Sequence, residues 1–500
     1  MEIINTMYEA HIYINDCIKN GDFEGIIDIL QDCQQAALEI GTTIEETEGE
    51  GTFAVACLEE YSEMLYDIAT DRCGNMEIYV QQINAKLNEA EQSIINDINA
   101  KLEVLFLPYK SSMWDSMESI WKATLEDAEC DVYVVPIPYY DRNPDRTFGE
   151  YHYEGDEYPE YVSVTHYEEY NIAERRPDII YIHNPYDNCN LVTSVDPRFY
   201  SRELKQYTEC LVYVPYYLFP KKLNEYPMVL TPVLYSADII VAQNEFVRDA
   251  YIQEIKNLQA SGININCQVI AMGTPKTDKM VCVLKEGVNI PDEWISQSTN
   301  KRKIFLNTNV SLILNNGDKF VENMRRVFEL FNKRQDVFVV WREHPLTYET
   351  LKSMKNNMIC EYEDLKSFFV DSGIGVIDDH VEAYEAMSFS DCYFGAGGSL
   401  IPIYAVSGKP MLITAYKYPD NIINRTVSVE ILLKQAERNM YFSERYENFI
   451  SLFLDNYEKI MEYKDRRYEL LNEITIISDG NVGRNIMKYV KSRGKDEYEQ

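Results

Sequence analysis

The sequence has little positive charge for its size. Its 500 residues include 47 Lys and Arg against 82 Asp and Glu, which gives a formal net charge of −35. Nucleic acids and anionic lipid surfaces are bound mainly through Lys and Arg, so we expect no nucleic acid partner and no basic patch for membrane docking. The negative potential of the whole chain would repel an anionic ligand. Such a ligand would therefore need a local group of cations and N–H donors to bind.

Long apolar runs and ordered cysteine spacings are also missing. No apolar run approaches the roughly 18 residues that a membrane-spanning helix needs, and the first residues lack the basic region and apolar core of a signal peptide. The 11 Cys are scattered without a CxxC pair, which is typical of reduced thiols. These patterns predict a cytoplasmic protein with no transmembrane segment.

Several catalytic and metal-binding motifs are absent from the sequence. There is no HExxH or comparable ligand cluster, and His11, His152, His166 and His380 have no setting typical of a site. There is no GxxxxGKS or GxxxxGKT phosphate loop and no GxSxG nucleophile turn, since the GAGGS segment has Gly at its centre. We therefore expect no metal and no bound cofactor.

What the sequence does contain is typical of a large globular protein. Hydrophobic residues make up 46% of the chain and aromatic residues 12%, enough for two or three domain cores at this length. Residues 1–100 have helical periodicity, with apolar residues spaced by three and four at Val80, Ile83, Leu87, Ala90 and Ile94. A bundle helix and a short coiled-coil seam both fit, and the pattern's length of about two to three heptads favours the bundle. Either a second copy of the chain, in a homodimer, or another protein could bind through these helices.

From residue 101 onward, apolar strands separated by helical patterns indicate parallel sheets covered on both faces. The predicted fold class is α/β, with two Rossmann-like domains, a helical N-terminal extension and C-terminal helices. The predicted regions are a helical region (1–100), a first Rossmann-like domain (101–286), a linker (287–303), a second Rossmann-like domain (304–425), and C-terminal helices with a tail (426–500). The acidic, Tyr-rich insertion at 141–170 is predicted to be a long loop or flap. Ligands of such sheets bind at the carboxyl ends of the strands.

Two strands of the second domain end in groups suited to phosphate. The apolar run VFVVW leads into Arg342, Glu343 and His344, and an Arg guanidinium matches the geometry of phosphate. An Arg–Glu pair with a His at the sheet edge is the alternative. A later strand, Gly-rich turn and helix predict a nest of backbone N–H groups with a helix dipole behind it, and the residues concerned are Gly397, Gly398 and Ser399.

Two further segments contribute candidates beside that edge. Asp379 has the D-x-x-E spacing that begins a helix. The segment GTPK places Gly273 and Lys276 after a strand at the expected domain junction. A rigid turn alone would account for the Gly and Pro, though not for the Lys.

The first domain offers a candidate general base. His183 follows the strand DIIYI, and an imidazole that faces the cleft is suited to take the proton of an acceptor hydroxyl. Asp187 or Asp196 would hold its tautomer. The alternative is a structural His that only forms hydrogen bonds at the end of the strand.

In order and spacing, segments between about 205 and 415 resemble the CDP-glycerol glycerophosphotransferase family, GT-B-type enzymes that build teichoic-acid-like polymers. ADIIVAQNEF is similar to the family's strand and helix that end in NEF, and GTPKTD to its GYPRND turn, with Lys276 in place of Arg. WREHP matches its RxHP motif through Arg342 and His344, and SDCYFGAGGS stands where the family has SDxLITDYSS. Two features differ: Pro215 and Tyr216 stand where the family's HG motif is expected, and the Asp and Tyr of DYSS are lost.

The resemblance implies a nucleotide-dependent transferase that moves a glycerol-phosphate-type group from CDP-glycerol or a similar donor. The implied partners are a nucleotide-activated donor, with CDP favoured, and a cell-surface polymer or a lipid-linked precursor as acceptor. The donor-binding candidates are Arg342, Gly397, Gly398, Ser399, Lys276, Gly273 and Asp379, and the catalytic candidates are His183, His344 and Asp187. Two alternatives stay open, a GT-B glycosyltransferase that uses a nucleotide sugar, and a catalytically impaired binding or scaffold protein on that fold.

Overall fold

A computed structural model of the chain divides into two compact units, Met1–Lys101 and Leu102–Gln500. The structure describes residues 2–20, 24–49, 51–70, 76–97, 101–143, 145–219, 229–317, 319–345, 347–380, 382–414, 450–462, 471, 475–477 and 479–498. Of the helices in these ranges, none combines the length and the apolar character that a bilayer span requires.

The N-terminal unit is a set of four amphipathic helices. Its helices are α1 (Glu2–Asn20), α2 (Glu24–Glu48), α3 (Phe53–Thr70) and α4 (Met76–Asp97). The periodic residues that predicted a helix are buried, since Ile83, Leu87 and Ala90 are each 0% exposed. The polar side chain of His11 also lies in this core, where its ring nitrogens contact Tyr61 Oη at 2.6 Å and Asn84 Oδ1 at 3.0 Å. The apolar stripe therefore packs within a bundle.

The second unit is α/β. Its strands are β1 (Leu102–Leu107), β2 (Cys130–Val134), β3 (Tyr139–Arg142), β4 (Phe148–His152), β5 (Ile179–Ile182), β6 (Thr193–Val195), β7 (Cys210–Tyr213), β8 (Ile239–Ala242), β9 (Gln268–Ala271), β10 (Arg302–Asn307), β11 (Val337–Arg342), β12 (Gly375–Ile377), β13 (Cys392–Ala396) and β14 (Met411–Thr414). Its helices are α5 (Glu118–Leu125), α6 (Ile172–Arg175), α7 (Ser201–Leu204), α8 (Glu245–Ala260), α9 (Lys276–Glu286), α10 (Asp292–Gln297), α11 (Val310–Asn316), α12 (Lys319–Lys333), α13 (Thr347–Met354), α14 (Ile359–Asp371), α15 (Tyr384–Phe389), α16 (Leu400–Ala405), α17 (Tyr457–Met461) and α18 (Val482–Tyr498).

Two parallel sheets form the centre of this unit. The first sheet has the order β2-β1-β5-β7-β8-β9, and the second has the order β12-β11-β10-β13-β14. Both are buried on each face, because their strands are continuous runs of apolar residues with helices packed on either side. The predicted fold class, two Rossmann-like sheets with a helical N-terminal region and a C-terminal helix, is confirmed. The predicted domain boundaries inside 102–500 stay predictions.

In each sheet the strand order reverses once, and the reversal creates a crevice at the carboxyl edge. The chain moves outward from β1 to β2 and returns to β5 on the other side of β1; in the second sheet it returns to β13 on the other side of β10. Such switch points are where open α/β sheets bind ligands. The residues that follow β1 and β5, and those that follow β10 and β13, are therefore in the positions best suited to contact one.

The insertion predicted as a loop contains secondary structure, and that prediction was wrong. β3, β4 and β6 form a small antiparallel sheet, hereafter the small sheet, in which Tyr139 pairs with both His152 and Val195. β4 has no buried residue and β3 has only one, Tyr139, so the alternation that marks a half-buried strand is weak and is hard to distinguish from a loop in the sequence.

The C-terminal part returns to the first sheet through α18. Asp278 in α9 accepts the N–H groups of Val482 at 3.1 Å and Gly483 at 2.8 Å, so it caps the amino end of that helix. Gly483 lies against α5, since a Cβ there would come within 2.4 Å of the backbone carbon of Ser119. The segment predicted as a tail is part of α18, and the predicted helices at 427–449 lie outside the described residues.

Candidate functional site

The switch point of the second sheet brings together residues that the sequence analysis selected separately. In the strand register, Asn307 at the end of β10 lies between Arg342 of β11 and Gly395 of β13. The Gly-rich turn that follows β13 therefore lies one strand from β10 and two from Arg342. Gly398 and Ser399 are exposed at this edge, directly before α16.

Arg342 is buried and has a fixed orientation. Its Nη1 donates to Asp378 Oδ2 at 2.6 Å and to the backbone oxygen of Glu382 at 3.1 Å, and its exposed fraction is 8%. The carboxylate of Asp378 is itself fully buried, and its other oxygen contacts His380 Nδ1 at 2.8 Å. A buried charge needs such a partner, so this contact holds the guanidinium at the carboxyl end of β11.

Asp379 is exposed, and the neighbouring Asp378 is the residue that contacts Arg342. The two residues follow β12 in an irregular loop, where neither a helical nor a strand period determines which side chain faces inward. The donor-binding role of Asp379 stays a prediction. Asp378 was missed, although the Asp pair itself was visible in the sequence.

The Gly-rich turn is held against β10. Gly395 has a φ of +142°, and a Cβ there would come within 2.1 Å of the Asn307 carbonyl oxygen, so only Gly fits. Asn309 donates to the Gly397 carbonyl at 2.9 Å and caps α11 by accepting the N–H of Leu312 at 2.8 Å. Asn309 was also missed by the sequence analysis, because a strand-ending Asn is a common helix cap.

Glu343 and His344, the two residues after Arg342, have different surroundings. Glu343 accepts from the hydroxyl of Tyr362 and lies 2.8 Å from Lys366 Nζ, so it contacts α14 and does not pair with Arg342 in the described contacts. His344 is exposed, although desolvation by the surrounding protein still lowers the pKa of its imidazole below the ordinary value. A neutral His at this edge could donate a hydrogen bond or exchange a proton.

His183 lies at the switch point of the first sheet, but its ring is engaged inside the protein. It is 0% exposed. Its Nε2 accepts the N–H of Tyr109 at 3.1 Å, which places the proton on Nδ1, and Nδ1 lies 3.1 Å from Ser116 Oγ. Burial, with a contribution from Lys276, lowers the pKa of His183 to about 3. In this state the imidazole is neutral and both nitrogens have protein partners.

Asp187 and Asp196 form bonds elsewhere. Asp187 accepts the backbone N–H of Ser201 at 2.9 Å and its hydroxyl at 2.8 Å, and burial raises the pKa of the Asp187 carboxyl. Asp196 contacts Arg198 at 3.0 Å. Neither described contact reaches His183, whose tautomer is instead set by Tyr109 and Ser116.

Gly273 and Lys276 link the first sheet to later parts of the chain. Gly273 has a φ of +101°, and a Cβ there would come within 2.3 Å of the Ile476 carbonyl oxygen. Lys276 forms a buried ion pair with Asp115, whose other oxygen accepts the hydroxyl of Tyr384 at 2.8 Å. Tyr384 belongs to the second-sheet half of the unit, so this ion pair lies where the two halves meet.

A second buried group of charges, hereafter the Lys279 cluster, lies beside that pair. Lys279 Nζ is 2.9 Å from Glu118 Oε2 and 2.5 Å from Glu382 Oε1. Burial alone would lower the pKa of Lys279, but the two carboxylates raise it above the ordinary value; burial raises the pKa of Glu382. Because the backbone oxygen of Glu382 accepts from Arg342, the cluster connects the second-sheet edge to α5 and α9 of the first-sheet half.

The place where the resembled family has its HG motif is closely packed. Pro215, Tyr217, Gly273 and Thr274 are among the residues that line a cavity there of about 10 Å³, which holds about one water molecule. Elsewhere, among the described residues, Asp141, Glu150 and His152 on the small sheet lie close enough to share a metal ion.

No protein-family model and no curated protein matches the sequence. Solved structures with a similar chain path include the wall teichoic acid polymerase TagF, with 12% identity over 90% of this chain and 100% of that one and a TM-score of 0.43. A UDP-GlcNAc 2-epimerase from Neisseria meningitidis bound to UDP-GlcNAc has 14% identity over 78% and 100%, with a TM-score of 0.44. The S. aureus MnaA–UDP structure has 14% identity over 78% and 96%, with a TM-score of 0.46. These likenesses carry no argument about function.

Proposed function

We propose that the protein is a nucleotide-dependent transferase whose donor diphosphate binds at the carboxyl edge of the second sheet. The transferred group is of the glycerol-phosphate type, CDP is the favoured nucleotide, and the acceptor is a cell-surface polymer or its precursor. One observation carries the proposal: the switch point places the Gly-rich turn and Ser399 on one side of β10, and the strand that ends in Arg342 on its other side, at the same edge of the sheet.

The chemistry of this edge suits a diphosphate. Arg342 supplies a positive charge whose orientation is already fixed by Asp378, and Gly398 and Ser399 present backbone N–H groups and a hydroxyl at an exposed turn. Charge that develops on the leaving nucleotide is stabilised most by donors that need no reorganisation. In a chain with a net charge of −35, such local donors are required to hold an anion at all.

His344 is the proposed proton-transfer group on the donor side. It is exposed next to Arg342, and its lowered pKa keeps the imidazole neutral near pH 7. It would donate a hydrogen bond to a phosphoryl oxygen as the bond to the transferred group breaks. The acceptor base is assigned to His183 only on the condition that its bonds to Tyr109 and Ser116 open when the acceptor binds.

A nucleotide sugar could use the same groups, since only its diphosphate would contact them. A second candidate, nucleotide binding without turnover, is favoured by one specific observation: both nitrogens of His183 are occupied inside the protein, and Pro215 and Tyr216 stand where the resembled family has HG. The binding-only candidate and the transferase predict the same donor affinity and differ in turnover.

Turnover separates these candidates. The purified chain is incubated with CDP-glycerol and a glycerol-phosphate oligomer. Transfer of glycerol phosphate breaks the bond between the two phosphates of the donor, so CMP release and oligomer elongation are measured together. The transferase proposal predicts equal amounts of both products, a large loss with His344→Asn, and little loss with the control His166→Gln, in a loop before α6. Binding of CDP without either product would favour the binding-only candidate, and full activity of His344→Asn would remove His344 from the mechanism.

A further inference from the structure

Three side chains on the small sheet converge on one point that the proposed transfer reaction does not use. Asp141 comes from β3, and Glu150 and His152 come from β4; one ligand atom from each lies within 4.8 Å of the others. The pairing of Tyr139 with His152 sets the register of the hairpin. Alternate residues of a strand share a face, so the three side chains project from the same side of the hairpin.

The contact between His152 and Asp141 is close but is not a hydrogen bond. His152 Nε2 and Asp141 Oδ2 are 3.0 Å apart. Nevertheless, Nε2 is shielded from solvent and has no hydrogen-bond partner of acceptable geometry among the described residues. Two ligands of one tetrahedral ion with bonds near 2.1 Å are about 3.4 Å apart. The distance between these two atoms and their poor hydrogen-bond geometry therefore fit two ligands that bind the same ion.

The imidazole is held in place by its neighbours. Its ring stacks on Tyr139 with centroids 5.0 Å apart and an interplanar angle of 21°. The hydroxyl of Tyr139 in turn donates to Glu154 Oε1 at 2.6 Å, and Glu154 also accepts the backbone N–H of Ser111 at 2.8 Å. Outer contacts of this kind fix the orientation of metal-binding His residues, so this nitrogen is directed toward the carboxylates before any ion binds.

The three groups leave room for other ligands. The side chain of Asp141 is 50% exposed and that of His152 is 30% exposed, and Glu150 is exposed. A neutral imidazole with two carboxylates carries a charge of about −2, which a divalent ion would balance. One nitrogen and two oxygen ligands suit a first-row transition-metal ion such as Mn²⁺ or Zn²⁺ better than Mg²⁺, which prefers oxygen ligands alone.

We propose that Asp141, Glu150 and His152 bind one divalent first-row transition-metal ion, with the remaining coordination positions open to water or to an oxygen-containing ligand. The site is distinct from the second-sheet edge and does not depend on the proposed transferase activity. Sequence motifs missed it because two of its ligands are separated by one residue of a strand and the third by a hairpin turn, whereas the searched motifs have helical or paired-Cys spacings.

The test uses Mn²⁺, because this hard ion avoids the chain's 11 Cys. The metal-free full-length chain is titrated with Mn²⁺ at about 0.15 M KCl, which screens non-specific binding to the acidic surface, and free Mn²⁺ is followed by electron paramagnetic resonance. We expect one equivalent to bind, and we expect His152→Gln, Asp141→Asn and Glu150→Gln each to weaken it at least about tenfold. The matched controls His166→Gln and Glu168→Gln, from the same region outside the cluster, should bind as the wild type does.

Two results would overturn the proposal: no saturable equivalent in the wild-type chain, or the same affinity in His152→Gln as in the control His166→Gln. Misfolding of a variant does not remove the test, because the wild-type chain gives a second readout. With isotopically labelled His, bound Mn²⁺ should broaden the ring resonances of His152, its direct ligand, before those of His183, which is buried at the switch point of the first sheet. Equal broadening of all six His would contradict a specific site.

Discussion

Burial sets the protonation state of His183. An imidazole without solvent contact that accepts a backbone N–H is stable only when it is neutral, and this environment lowers its pKa from 6.5 to about 3. The folded state therefore resists protonation in a pH range where the unfolded chain accepts a proton. The sequence suggested His183 as a base. In this conformation its ring instead accepts the N–H of Tyr109 and contacts the hydroxyl of Ser116.

This state gives a pH prediction. Because the folded-state pKa is below the unfolded one, the unfolded chain binds more protons between about pH 6.5 and 3, so the free energy of unfolding should fall as the pH falls through this window. His183→Gln keeps an acceptor for the Tyr109 N–H but cannot titrate, so it should lose part of that dependence. Urea unfolding at a series of pH values measures this pH dependence of the free energy of unfolding. His11 and His344, whose pKa values desolvation also lowers, contribute to the remaining dependence, and an unchanged slope in His183→Gln would show that this His is not held neutral.

The identity of single contacting residues was the least predictable part of the site. The sequence indicated Arg342, the Gly-rich turn and an Asp pair, but not that Asp378 would contact the guanidinium. It indicated Lys276 as a charge beside a ligand, and the structure pairs it with Asp115. Periodicity describes which face of an element a residue occupies, whereas these contacts join residues far apart in sequence or within irregular loops.

At the scale of elements, the positions of the parallel strands could be predicted from the sequence, because strands that are buried on both faces are continuous apolar runs. The starts of β5 and β13 share a feature: an Asp precedes the apolar run and accepts the N–H of a residue in the neighbouring strand. Asp178 accepts from Glu103 at 2.7 Å, and Asp391 accepts from Lys303 at 2.8 Å. The strands of the small sheet could not be predicted from the sequence, since they are half-exposed and depend on pairing across an insertion.

The docking of α18 on α5 depends on the absence of a side chain. Gly483→Ala would place a Cβ 2.3 Å from Ser119 Oγ and 2.4 Å from its backbone carbon, and the backbone cannot move aside easily. We expect a loss of about 1–3 kcal/mol in the unfolding free energy and faster hydrogen exchange across Val482–Tyr498.

The chain provides a matched control for that substitution. Gly41 lies within α2, and a Cβ there would meet no heavy atom within 4 Å. Gly41→Ala should therefore stabilise its helix by up to about 1 kcal/mol. If both substitutions changed stability in the same direction, the close approach of α18 to α5 would not be the cause.

At the scale of the whole second unit, buried charges connect the two sheet-bearing halves. The Lys279 cluster holds two carboxylates from opposite halves on one ammonium group. Removing the cation leaves the Glu382 carboxylate, whose side chain is 32% exposed, without this partner, whereas Glu118 keeps Lys122 Nζ at 2.8 Å. Lys279→Met should therefore destabilise the protein by about 1–3 kcal/mol, less than the loss of a partner in a fully buried pair, as measured by urea unfolding, and Lys279→Met combined with Glu382→Gln should recover part of the loss. No recovery in the double variant would mean that the loss comes from packing and not from charge.

The fold class was the part that the sequence predicted best, because two runs of buried strands separated by helices allow few arrangements. The order of the strands within each sheet required the structure, and that order creates the two switch points. The account's central claim is that the second of these, between β10 and β13, binds a nucleoside diphosphate.

Calorimetric titration with CDP, UDP, GDP and ADP at fixed salt tests this claim most directly. It is performed on the wild-type chain, on Arg342→Ala, and on Arg334→Ala, which removes an Arg that precedes the amino end of the same strand and pairs with Asp336 and Asp455. We predict saturable binding of one nucleotide, CDP first, that is lost in Arg342→Ala and retained in Arg334→Ala. Binding of none of the four, or equal binding by the two variants, would contradict the account.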